Sequence, residues 1–191
     1  MIRGKTVKFT LYYKGPLKSN SRANEKQRLR DVWRPQLEIA FANFYQIQVS
    51  QVPEYLNSIF NRSSSGLNPA DGGWRFFPLV SDFLFKKGSH LELDILMLRR
   101  GPLGNVVIHG GDIDNRLKTL FDSLQSPSPE QCAKLGPCTK NIVFACLLTD
   151  DRQISRVNVR TASLLDTTIS EKEVILVIDV SVVGVRNFEH L

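Results

Sequence analysis

Histidine and cysteine are scarce here, three of each in 191 residues, and each shortage excludes some chemistry. His90, His109 and His190 are scattered, and no Gly-x-Ser-x-Gly elbow accompanies them, which removes the nucleophile–histidine hydrolases. Cys132, Cys138 and Cys146 are an odd number without a Cys-x-x-Cys pair, which argues against a disulfide framework and for a reducing, cytoplasmic setting. Cys132 and Cys138 have no neighbouring histidines and fall short of the four ligands of structural zinc. No phosphate-binding Walker loop or dinucleotide glycine motif occurs. Apolar runs never approach 18 residues, so no membrane-spanning helix is expected. The opening Met1–Lys5 lacks the apolar stretch of a signal peptide. No internal repeat is present.

What the chain does have is ordinary globular composition, 42% hydrophobic and 23% charged. Its length suits one domain over residues 1–191 with a sizeable core. A formal charge of +6 points to a polyanionic partner. The sign alone does not separate nucleic acid from an anionic membrane surface or from solubility.

Thr6–Tyr13 alternates apolar and polar residues and predicts a half-buried strand, closed by Gly15-Pro16. Arg22–Phe44 carries the longest helical stripe, Leu29, Trp33, Leu37, Ala40 and Phe44. Pro35 predicts a kink in it, or two helices meeting there. Arg22, Lys26, Arg28, Arg30 and Arg34 make its first half basic, either a solvated face or a DNA contact. Tyr45–Phe60 is ambiguous, and residues 61–73 read as a loop insertion. Trp74–Phe85 reads as an edge strand, with Lys86-Lys87-Gly88 as a hairpin into Leu91–Leu98. Arg99–Gly104 is a basic turn, and Asn105–His109 a short strand. Residues 125–140, rich in Ser, Pro and Gly, read as a second loop insertion. Glu173–Val185 is a long apolar strand suited to a sheet centre. This order predicts an α+β fold, a mixed sheet packed against helices on one face.

Two acidic windows carry the chemistry. Asp112 and Asp114 are one residue apart, so on a strand end both leave the same face. Leu117, Leu120, Phe121 and Leu124 then take up helical spacing, with Asp114 a candidate N-cap and Lys118 one turn on. Carboxylates gathered this way repel unless a cation lies between them, and hard oxygens suit Mg²⁺. The bland alternative is a capped helix with a solvated Asp112. In the second window, the apolar run Ile142–Leu148 ends on Asp150 and Asp151, and a strand resumes at Ile154. Arg152, Arg156 and Arg160 follow at even spacing, which on a strand puts three cations on one face. Glu92 and Asp94 read as a solvent-facing pair.

Taken together, Asp112, Asp114, Asn115, Lys118, Asp150, Asp151, Gln153 and Ile154 resemble the pattern of the RusA-like Holliday-junction resolvases. The resemblance covers roughly the C-terminal half; residues 125–140 are longer than in that family. It implies a RusA-like fold, a homodimer acting on branched DNA, and Mg²⁺ (or Mn²⁺) as the cofactor. It further implies Asp112, Asp114 and Asp151 as metal ligands, with Asp150 a ligand or a supporting acid. Lys118 would meet the scissile phosphate, and Arg116, Arg152, Arg156 and Arg160 the nucleic acid. The expected activity is metal-dependent endonucleolytic resolution of four-way DNA junctions. Two alternatives stand beside it: a non-catalytic nucleic-acid-binding protein on the same scaffold, and a nuclease preferring flap or fork DNA.

Overall fold

In a computed structural model, residues 5–62, 73–100, 113–138 and 143–185 are described. Several readings made above fall outside these residues: most of the 61–73 loop, most of the basic turn after Arg99, the Asn105–His109 strand, and Asp112 itself. The fold is α+β with a mixed sheet. The chain divides into two compact units, Met1–Asn20 with Asp82–Leu120 and Arg152–Leu191, and Ser21–Ser81 with Phe121–Asp151.

The first unit is built on period-two alternation. Strands β1 (Lys5–Pro16), β3 (His90–Arg99), β5 (Ile154–Ser163) and β6 (Glu173–Val185) form one sheet in the order β1-β6-β3-β5. The long apolar β6 is antiparallel to both neighbours, and β5 runs parallel to β3 at the edge. Leu91, Leu93, Ile95 and Met97 are buried and face Val182, Val180, Ile178 and Leu176 across the strands. On the opposite face Thr10, Asp179, Asp94 and Asn158 form one polar row across all four strands. Gly184 in β6 has φ +80, and a Cβ there would lie 2.5 Å from the Gly88 carbonyl oxygen. Only glycine allows that approach.

Between Val80 and His90 the chain does not form the expected hairpin. It leaves β2 (Arg75–Val80) and makes a single helical turn, α3 (Asp82–Lys86), before entering β3. Lys87, Gly88 and Ser89 close that turn through bonds to the Phe83, Phe85 and Leu84 carbonyls. The aromatic residues of Trp74–Phe85 carry no clear period, so composition alone favours one strand and hides the helical turn.

The second unit packs helices on a parallel strand pair, β2 with β4 (Val143–Leu148). All six residues of β4 are buried. Among the described residues β2 pairs with β4 alone, and Pro78 is tolerated on such an edge strand. Helix α1 (Ala23–Tyr45) is continuous through Pro35, so two separate helices do not meet there. Pro35 is exposed, and so is Asp31, whose carbonyl loses its helical partner and can turn to water. The helix opens with the Glu25 side chain accepting the Arg22 N–H at 3.2 Å and ends at Gln46 in the left-handed region. Helix α2 (Val52–Arg62) resolves the ambiguous stretch.

Residues 125–138 are not a bare loop either. They hold a helix, Pro129–Leu135, whose Ser128 hydroxyl accepts the Gln131 N–H at 3.3 Å, with Gly136 at its end. Ser128 and Pro129 therefore act as N-cap and first helical residue. Cys132 and Cys146 pack with Phe76 and Phe144, and Trp74 and Cys138 flank them. Burial pushes the Cys146 thiol up to about 12.

Candidate acidic site

Helix α4 (Ile113–Leu124) forms where the apolar stripe predicts it. Thr119, Leu120, Ser123 and Leu124 are buried, while Leu117 and Phe121 are half-buried. The opposite side leaves Asp114 and Lys118 exposed, with Asn115 half-buried. Asp114 is not the N-cap: it lies inside the first turn, where the positive end of the helix favours a carboxylate.

The two ends of α4 are tied down by arginines. Near its start, Arg116 donates through Nη1 to the Leu17 carbonyl oxygen. Burial and the nearby Arg99 lower the Arg116 pKa. At the other end, Arg30 of α1 donates through Nη2 to the Asp122 carbonyl (2.6 Å) and Gln131 Oε1 (3.0 Å), and through Nε to the Gln125 carbonyl (3.1 Å). The two carbonyls are at the negative end of α4, where a cation is favoured. Lys26 Nζ pairs with Asp122 Oδ2 at 2.5 Å, and Trp33 Nε1 donates to the Ser123 hydroxyl at 3.0 Å. Arg34 pairs with Glu38 and lies over the Phe144 ring. The basic half of α1 is thus largely an internal fastening, and Arg22 and Arg28 are its exposed cations.

The second window follows the predicted order. β4 ends at Leu148; Asp150 is half-buried, and Asp151 is exposed at the start of a 3₁₀ turn, Asp151–Gln153, that leads into β5. Gln153 is fully buried and donates through Nε2 to Asp82 Oδ1 at 3.0 Å. Arg152 reaches the same oxygen at 3.4 Å.

The arginine series needs correction. Arg152 lies in the 3₁₀ turn, not on the strand, so only Arg156 and Arg160 share a face of β5. Arg156 binds Glu92 at 2.8 Å and Asp94 at 3.3 Å, which makes that acidic pair its counter-charge. Arg160 is exposed, beside Leu96, Asn158 and Asp179. Sequence reasoning misses Asp82 because the residue reads as part of an aromatic strand; only its place after Ser81, as a helix-opening acid, could mark it.

Asp114 belongs to the first unit, and the boundary between units falls between Asp151 and Arg152. Among the described residues no group of three or more His, Cys, Asp and Glu side chains could hold a metal ion; Asp112 is outside that set. The available donors in each window are carboxylate oxygens, the ligand chemistry of Mg²⁺ and Mn²⁺. No helix among the described residues is long and apolar enough to cross a membrane. No family model, curated protein or solved structure matches the chain.

Proposed function

We propose that this chain is a Mg²⁺-dependent, structure-selective endodeoxyribonuclease that resolves four-way DNA junctions. One observation carries the reading: an acid of each window, Asp114 and Asp151, lies exposed next to an element anchored by buried residues. α4 hides Leu120 and Leu124 while exposing Asp114 and Lys118, and fully buried β4 runs out into Asp150 and exposed Asp151.

In this reading Asp112, Asp114 and Asp151 supply the oxygens that hold Mg²⁺, with Asp150 a further ligand or a supporting acid. Bound there, the ion would lower the pKa of a water and offset charge at the phosphate. The chain's own contributions are positional and electrostatic. Lys118 presents a compact ammonium to the scissile phosphate, and Asn115 orients a neighbouring carboxylate or loop. Arg160 contributes to backbone contact along the substrate, joined by Arg152, Arg156 and Arg116 to the extent that their present partners release them. A homodimer matches the two-fold symmetry of a four-way junction.

The test is cleavage of a synthetic four-way junction in Mg²⁺, wild type against Asp114→Asn. The wild type should cut and the variant lose more than about a hundredfold, since an isosteric amide removes one charged ligand. Undiminished cutting by the variant refutes the metal assignment. A wild type that binds the junction without cutting it supports the non-catalytic alternative.

A further inference from the structure

We propose that Asp82 is a positioning residue for the acidic turn, holding Asp151 in its metal-binding place through the buried amide of Gln153. This rests on the nuclease reading above and adds a residue to it. The 3₁₀ turn Asp151–Gln153 is three residues long, too short to be stable through its own hydrogen bonds. Something outside it must fix its orientation, and its two ends differ in kind. Asp151 faces solvent, whereas Gln153 is fully buried. A buried primary amide is held in one orientation by its hydrogen-bond partners, and Asp82 Oδ1 is such a partner at 3.0 Å.

Asp82 is itself firmly placed. It opens α3, which is closed by backbone bonds from Lys87, Gly88 and Ser89 and leads directly into β3. β3 in turn pairs with β5, the strand that follows Gln153, beginning at Leu91 opposite Ile154. The turn is therefore fixed at its C-terminal end twice over, by the sheet register at Ile154 and by the Asp82 carboxylate at Gln153. The same carboxylate oxygen also takes Arg152 Nη2 at 3.4 Å. That ion pair directs the cation adjacent to Asp151 in sequence toward Asp82. Partners bonded directly to a metal ligand change metal affinity by about 10- to 100-fold when removed, and Asp82, acting through Gln153, should fall at the lower end of that range.

The experiment compares wild type, Asp82→Ala and Asp82→Asn by titration calorimetry with Mn²⁺ alone, together with junction cleavage across a Mg²⁺ series. Circular dichroism and thermal melting report folding. Asp82→Ala should bind Mn²⁺ at least about tenfold more weakly and need correspondingly more Mg²⁺ for half-maximal cutting, while its cutting rate at saturating Mg²⁺ recovers most of the way. Asp82→Asn keeps an amide oxygen for Gln153 and should restore most of the lost affinity. A residue of purely structural importance would lower the melting temperature without shifting the Mg²⁺ requirement of the folded fraction, and that result overturns the proposal. So does an Asp82→Ala protein with wild-type Mn²⁺ affinity. If the wild type binds Mn²⁺ and cuts but the variants match it, only the role of Asp82 fails. If the wild type neither binds Mn²⁺ nor cuts, the nuclease reading fails and takes this proposal with it.

Discussion

Replacing Arg30 by methionine isolates the fastening at the end of α4. The methionine keeps most of the hydrophobic stem and deletes the guanidinium of a residue that is only 6% exposed. Two backbone carbonyls, of Asp122 and Gln125, and the Gln131 amide oxygen lose their donor. A buried acceptor left unpaired costs about 1–3 kcal/mol, and these three, on half-buried residues, should fall at the lower end. Against this, a buried charge is removed; burial already lowers the Arg30 pKa, and one guanidinium nitrogen, Nη1, has no hydrogen-bond partner among the described residues. That relief returns part of the loss. The net expectation is destabilisation of about 2–4 kcal/mol, or a fall in melting temperature of about 4–16 °C at this chain length. Urea unfolding followed by tryptophan fluorescence suits the measurement, because Trp33 bonds to Ser123 on the same helix end. Arg28→Ala, on an exposed position of the same helix, should stay within about 0.5 kcal/mol. If Arg30→Met is as mild as Arg28→Ala, Arg30 is not a fastening and the DNA-contact reading of the basic helix regains its force.

Three more outcomes follow from particular groups. Burial raises the Cys146 thiol from its ordinary 9.0 to about 12, so the folded chain keeps a proton that the unfolded chain releases first. The resulting stability is complete below the unfolded value and is lost as pH rises toward the folded one, by up to about 4 kcal/mol; denaturant midpoints measured over that range should fall less steeply in Cys146→Val. Gly184→Ala should cost at least about 2 kcal/mol, from the left-handed backbone and the 2.5 Å approach to Gly88, and a melting temperature equal to wild type would show that the strand relaxes around it. In junction binding at several salt concentrations, Arg160→Ala should reduce the salt slope by about 1. Arg156→Ala, whose charge is engaged by Glu92 and Asp94, should change it less; the reverse order would mean that Arg156 leaves those acids for DNA.

The parts of the molecule legible in sequence are those where one physical signal dominates. Leu91, Leu93, Ile95 and Met97 alternate without interruption, and β3 buries that face. Leu120 and Leu124 lie at helical spacing, and both are buried in α4. Where signals compete, the simpler one misleads. Pro35 disfavours a helix interior locally, yet Leu29, Trp33, Leu37 and Phe41 bury a continuous stripe around it, and tertiary burial outweighs one lost backbone bond. Ser128 and Pro129 have loop composition but helix-opening geometry. The charges of α1 cannot be sorted from sequence, because the partners of Lys26 and Arg30 lie more than ninety residues away. For the same reason the link from Gln153 to Asp82 is invisible there, while Asp114 and Asp151 are conspicuous from their local patterns.

The central claim is that Asp112, Asp114 and Asp151 bind one kind of hard cation, and Mn²⁺ titration calorimetry on three single Asp→Asn variants tests it without any assumption about substrate. The wild type should bind Mn²⁺, and each of the three substitutions should weaken binding by at least about tenfold. Wild-type affinity in any one of Asp112→Asn, Asp114→Asn and Asp151→Asn would contradict it.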